Sequence, residues 1–540
     1  MDVKQLPARP SLEQYKKQAK DLLKAYRAAD VETIRRVKKN HPRFEKLSEP
    51  GFEITKFALA DAQLVIAREY GFESWPKFAK HLQAVARASA FASGAFGGST
   101  LALENPAAAF IENAIRFGTL ERAEQILAAY PEIAQSSIHV AAVLGDEVTV
   151  RRFIAENAAN ATAKAAPFDG DALVYLCFSK YLRLDKKRSG AFLRAATALL
   201  DAGANPNTGF MSAGDYPDFE SALYGAAAVA SHPELTRLLL ERGADPNDNE
   251  TPYHAPESYD NAALRVLVES GKLTANSLAM MLVRKADIHD YAGMKYLLEH
   301  GADPNRGTMW RMTPLHQTLR RDNDIKNIDA MLDHGGDPSI HSDLEGRSGI
   351  SLAARRGRSD ALTSFQQRGI SIELQGVDKL IAACAMNDLE AIRTITTNEP
   401  QLIADLKVDG GKLLAEFAGT ANTEGVRHLL DLGVSVTALY DGDPYFDIAK
   451  DSTALHVAAW KAFPKTVKLL MDRGAPIDTL DAKGRTPLML AVKACVDSYW
   501  TNRRSPESVE ALLRAGAAAS KVEFPSGYEE VDKLLLQYKK

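Results

Sequence analysis

The chain has 540 residues, 46% of them hydrophobic and 25% charged, the make-up of an ordinary folded protein, which excludes wholesale disorder and a collagen-like fibre. Its 66 Lys plus Arg stand against 70 Asp plus Glu, a net charge of -4, so there is no global basic field for nucleic acid or an anionic membrane. Three widely spaced cysteines, Cys177, Cys384 and Cys495, exclude a disulfide framework and a cysteine-based zinc site, and they fit a reducing, cytoplasmic compartment.

The first twenty residues mix acidic and basic side chains and offer no apolar stretch of the signal-peptide kind. Ser11 and Gln14 make a capping box that starts an amphipathic helix running to Tyr26. The run ALADAQLVIAREYGFESWPKFAKHL supplies two more helices, broken between Gly71 and Pro76. Residues 1–85 therefore read as a helical module, most simply a cap over the end of the array that follows. The uncharged run from Ala88 to Leu103 is too short and too polar to span a membrane, and residues 86–104 read as a linker.

Beyond residue 105 one word recurs: LLDAGANPN, LLLERGADPN, LLEHGADPN, MLDHGGDPS, LLMDRGAPID and LLRAGAAAS. Its glycines are Gly203, Gly243, Gly301, Gly335, Gly369, Gly433, Gly474 and Gly516, and Gly301 to Gly335 and Gly335 to Gly369 are both 34 residues. Gly271 and the TTNEP segment near Asn398 divide the two long gaps into degenerate units. Each glycine sits where a helix must stop in a left-handed conformation, which a Cβ would penalise. A second word precedes it: SALY at Ser221, TPYH at Thr251, TPLH at Thr313, TALH at Thr453 and TPLM at Thr486. There Thr or Ser caps a helix and Pro fills its first turn, where a missing N–H costs nothing.

With both words repeated, residues 105–525 resemble the ankyrin-repeat family, at a period close to that family's. The resemblance implies an all-α solenoid of stacked helix pairs with inserted hairpin loops, most often a protein-binding scaffold. The amino-terminal module, DSYWTNRRSPESVEALLRAGA and LEHGADPNRGTMWRMTPLH further resemble uncharacterised bacterial ankyrin-repeat proteins. Residues 526–540 are expected to form a C-terminal capping helix.

Insertions mark the candidate binding face. TGFMSAGDYPDF (208–219) and LYDGDPYFDIAKD (439–451) lengthen hairpins, and DSYWTNRRSPE (497–507) separates the helices of the last full repeat. They place Tyr216, Tyr445, Trp500 and Arg504 on loops, where aromatic residues either bind a partner or pack on the neighbouring loop. The ends of the first helices, which face the groove in ankyrin proteins, carry Arg284 and Lys285, then Arg320 and Arg321, then Arg355 and Arg356, and Trp460, Lys461 and Lys493 continue the row. These read as a solvent-facing basic stripe for an acidic partner, or as simple compensation of the helix dipole.

No nucleotide, zinc-protease, esterase or complete calcium-loop motif occurs, and Asp441, Asp443 and Asp447 lack the glycine and terminal Glu of a calcium loop. His139, His254, His316 and His456 fall at or near the repeat-word position and are expected to bond the adjoining loop. Cys384 and Cys495 read as buried small residues. The expectation is a monomeric scaffold, without cofactor, metal, nucleic-acid or membrane partner, that binds an acidic protein or peptide in its groove. The alternatives are a groove enzyme or small-molecule binder built on Asp441, Asp443, Tyr445, Trp460 and Arg504, and an exported effector.

Overall fold

A computed structural model describes residues 12–44, 57–79, 81–82, 105–212, 217–341, 346–498 and 503–538. Ser11 and the linker at 86–104 lie outside the described residues. The chain divides into two compact units. Unit 1 comprises Met1–Gln18, Ala67–Glu73 and Lys77–Arg306; unit 2 comprises Ala19–Ile66, Ser74–Pro76 and Gly307–Lys540.

Unit 1 carries helix pairs whose first members are Pro106–Ala114, Ile138–Leu144, Ala172–Cys177, Ala222–Tyr224, Glu250–His254 and Ala275–Asp287. The second members are Glu121–Ala129, Glu147–Glu156, Ser189–Asp201, Pro233–Glu241, Ala262–Glu269 and Tyr291–Glu299. First helices pack on first helices and second on second, as Ile138–Leu144 does on Ala172–Cys177 and Pro233–Glu241 on Ala262–Glu269. The 208–219 insertion becomes a hairpin in which Gly209–Met211 pairs antiparallel with Phe219–Ser221.

Unit 2 is also built of helix pairs, but Val377–Ala385 packs on Gly349–Arg355, Leu402–Val408 and Thr423–Asp431, and Gly349–Arg355 also touches Gly410–Gly419. Its first helices are Pro314–Arg320, Gly349–Arg355, Val377–Ala385, Gly410–Gly419, Ala454–Trp460 and Pro487–Val496, and the pairs close with Ile325–Asp333, Ser359–Gln367, Leu389–Asn398, Thr423–Asp431, Pro464–Asp472 and Glu507–Arg514. An additional helix, Leu402–Val408, stands between two of these pairs, and Glu529–Tyr538 follows the last.

The two sequence words do what their chemistry requires. The side chains of Thr313 and Thr486 accept from the amides of His316 and Met489, and Ser221 does the same for Tyr224. Gly301, Gly335 and Gly369 adopt φ of +87°, +85° and +75°, so a side chain at any of them would be strained. The word at 251–254 departs from the pattern: its helix begins at Glu250, and Thr251 instead bonds Asp248 through both its amide and its hydroxyl. Three motif histidines cap the neighbouring loop, with His139 Nε2 at 2.7 Å from Ala163 O, His316 Nε2 at 3.1 Å from Arg347 O and His456 Nε2 at 3.0 Å from Thr479 O. His254 differs, its ring lying between Glu250 and Glu257. All three thiols are buried and free, and burial pushes those of Cys384 and Cys495 up to about 12.

Parts of the amino-terminal module pack within each unit. In unit 1, Tyr15 meets Tyr70 and Phe78 edge-on, and Tyr259 Oη donates to Glu73. In unit 2, Tyr26 stacks on Phe57, and Arg27 pairs with Glu529 at the start of the last helix.

Candidate functional site

The predicted basic row is real as a set of helix ends: Arg321, Arg356 and Lys461 directly follow Pro314–Arg320, Gly349–Arg355 and Ala454–Trp460. It is not a solvent-facing stripe. Lys285 is fully buried inside helix Ala275–Asp287, its ammonium 2.8 Å from Asp290 Oδ2, and Arg284 pairs with Glu257 and Asp287 while lying over the Tyr253 ring. Arg355 reaches Asp378 at 2.7 Å and Asp409 at 2.9 Å. Arg356 joins Asp322 to Glu416, and Lys461 bonds Asp322. A cation at a closely packed helix end loses water, and the fold supplies carboxylates in its place. Burial by itself would weaken the charge of Arg356, but Asp322 and Glu416 outweigh it and hold the guanidinium firmly protonated. Lys461 goes the other way, burial outweighing Asp322 and lowering its pKa.

The aromatic candidates also turn inward. Trp460 is buried and its Nε1 donates to Phe446 O at 2.6 Å, in a cluster with Tyr440, Ile448, Val457 and Leu490. Tyr445 packs against this cluster and carries the Arg321 guanidinium 3.7 Å above its ring. Arg504 is no loop-tip residue, since its side chain is 2% exposed and its Nη1 lies 3.7 Å from Asp61 Oδ1, which His41 Nε2 approaches to 3.2 Å. Asp447 is engaged by Lys483, Lys493 and Arg485, and these cations overcome the effect of burial and hold its carboxyl near 2. Tyr216 and Trp500 lie outside the described residues.

Of the candidates, Arg320, Arg355 and Arg356 come together with Asp441 and Asp443 around one cleft of about 460 Å³ in unit 2. Tyr445, Trp460 and Arg504 do not line it, so the polar pocket drawn from those five residues is not assembled. Leu352, Leu413 and Tyr440 supply apolar wall, and Val408 and Leu439, 83% and 56% exposed, stand at it as uncovered hydrophobic side chains. The loop carrying Leu439 lies directly on helix Gly410–Gly419: a Cβ at Gly411 would sit 2.0 Å from Leu439 O, so only glycine permits this approach. The polar edge is mixed, Arg320, Arg347 and Lys412 standing against Asp409, Asp441 and Asp443. The acidic partners Asp322, Asp378 and Asp409 and the apolar Val408 left no signal in the sequence, and Leu439 entered only as the first residue of the 439–451 insertion. Glu416 alone left a signal, as the one charge inside LLAEFAG, where a buried, paired acid is the expected outcome.

Residues 419–522 match the family model described as ankyrin repeats in three copies, and residues 218–250 match the model for a single ankyrin repeat. The chain carries ankyrin repeats. With the helix-pair architecture above, it is an all-α ankyrin-repeat solenoid. Serine/threonine-protein kinase 12 of Arabidopsis thaliana is 38% identical over 86 residues, which is 16% of this chain and 17% of that protein, so the chain covers less than a fifth of that relative's length. The crystal structure of the human ASB11 ankyrin repeat domain aligns with 49% of this chain and 98% of that chain, at 21% identity and a TM-score of 0.23. Ankyrin repeats serve generally as protein-binding units, as stacked repeats present extended surfaces. Among the described residues no helix is long and apolar enough to cross a membrane.

Proposed function

We propose that this protein is a binding scaffold, and that the cleft of unit 2 receives a segment of a protein partner. The observation that supports this reading is the pair of uncovered side chains, Val408 and Leu439, beside apolar wall and guanidinium groups in one concavity. An apolar side chain of the partner would cover them. The partner's acidic character is secondary here, because much of the basic row is already matched by carboxylates of the chain itself. The three free thiols support a reducing, cytoplasmic setting.

The test is selection from a random peptide library on the full chain. Selected peptides should share an apolar anchor and lose binding at least about tenfold, worth 1.4 kcal/mol, to the Val408→Glu/Leu439→Glu variant. Val148→Glu, at another exposed apolar position in unit 1, should leave binding unchanged. Equal binding to the wild type and the cleft variant would sink the proposal.

A further inference from the structure

In a solenoid each repeat touches its neighbours, and stability is close to a sum of repeat and nearest-neighbour terms. Unit 2 breaks that rule at one point. Lys461, at the end of Ala454–Trp460, bonds Asp322, 139 residues earlier at the end of Pro314–Arg320. Arg356, at the end of Gly349–Arg355, places Nη2 2.8 Å from the same carboxylate and Nη1 3.1 Å from Glu416 of Gly410–Gly419. Tyr440 Oη, on the inserted loop, donates to Glu416 at 3.2 Å. The four charged side chains are between 3% and 12% exposed, and two acids balance two bases.

The backbone around the cluster is just as closely fitted. Thr420 Oγ1 donates to Arg356 O at 2.9 Å and Asn422 Nδ2 to Gly357 O at 2.8 Å. Gly357, at φ +65°, leaves room for the Phe417 ring, which a Cβ would meet at 2.7 Å. Removing any one of the four charged groups strands its partners in a dry site, so the four helix ends cannot shift one at a time. Two members also belong to the cleft: Arg356 and Glu416 line it, and Tyr440 lies in its wall.

We propose that the Asp322–Arg356–Glu416–Lys461 cluster is a lock between non-adjacent repeats that holds the cleft in its binding shape. It fixes the wall at 408–416 through Glu416 and the wall at 439–444 through Tyr440. Repeats from 314 to 472 then open as one element, and a partner filling the cleft favours the locked state over the open one. The role assigned to the cleft rests on the binding reading above; the lock itself does not.

Hydrogen exchange on the full, partner-free chain tests the lock. Lys461→Met removes one cation, and Asp322→Asn/Lys461→Met removes one cation and one anion, leaving Arg356 and Glu416 balanced. In both variants, amides at 314–321 and 408–419 should exchange at least about tenfold faster than in the wild type, along with those of 454–460. Acceleration confined to 454–472, or none at all, would overturn the lock. Should the single variant fail to fold, the balanced double carries the same test. Since no partner is present, the result stands apart from the peptide selection: the lock can fail while the cleft still binds, and the reverse.

Discussion

Units 1 and 2 both take basic side chains near helix ends largely out of water, yet they neutralise them differently. In unit 1 the cations are matched in separate sets, Arg284 with Glu257 and Asp287 in one of them. Lys285 meets Asp290 five residues on, Lys180 donates to Asn113 O at 2.6 Å, and Arg116 reaches Glu220 at 2.9 Å with its guanidinium over the rings of Phe168 and Phe210. In unit 2 one network joins side chains from four repeats. A pair that shares no charged group with another can be broken without stranding a third, whether its members are five residues apart, as Lys285 and Asp290 are, or 104, as Arg116 and Glu220 are, whereas a shared carboxylate such as Asp322 passes any loss to every cation around it. The difference teaches that a repeat array is not bound to be additive: a few buried charges at the first-helix ends convert nearest-neighbour stability into a longer cooperative unit.

The largest expected effect is from Arg356→Met, which leaves Asp322 and Glu416 facing Lys461 alone. A cost of about 3–5 kcal/mol is expected from stranding buried charge, read as a lower urea midpoint for unit 2. Lys285→Met should cost a comparable amount while raising exchange only near 275–299, and spread of that loss through unit 1 would break the comparison. Next comes Trp460→Phe, which removes the N–H bonded to Phe446 O and should lower the stability of unit 2 by about 1–3 kcal/mol, read from its urea transition.

Unit 1 has its own signature, in pH. Burial, only partly offset by Arg116, raises Glu220 from 4.5 to about 7. The folded state thus holds this proton more tightly, and the stabilisation is full below 4.5 and lost as pH rises through 7. Burial lowers Lys180 from 10.5 to about 7, so its contribution is full above 10.5 and lost as pH falls through 7. The urea midpoint of unit 1 should therefore pass through a minimum near neutrality. Glu220→Gln should flatten the acidic limb and Lys180→Met the alkaline one; a midpoint that is highest at pH 7 would contradict the assignment. The smallest effect is reserved for Arg473→Ala, which breaks an exposed pair with Asp431 in unit 2. It should change the stability of unit 2 by less than about 1 kcal/mol, and less still in salt.

What the sequence determined by itself is the fold. The recurring glycines at φ between +75° and +99° and the Thr or Ser caps act within a few residues of their own position, so short words suffice to specify a helix pair and its repetition. It also marked the helix ends that bear cations, and the loop insertions at 208–219 and 439–451. What only the tertiary structure decided is where those cations point. Asp322 and Lys461 are 139 residues apart, and no spacing along the chain announces that they share a bond. The basic row therefore read as exposed, yet Lys285, Arg356 and Lys461 became internal, and Trp460 and Arg504 read as loop or groove contacts and became core. The physical reason lies in range: a cap or a turn is settled by local dihedrals and one hydrogen bond, while the burial of a charge depends on which distant carboxylate the packing brings to it.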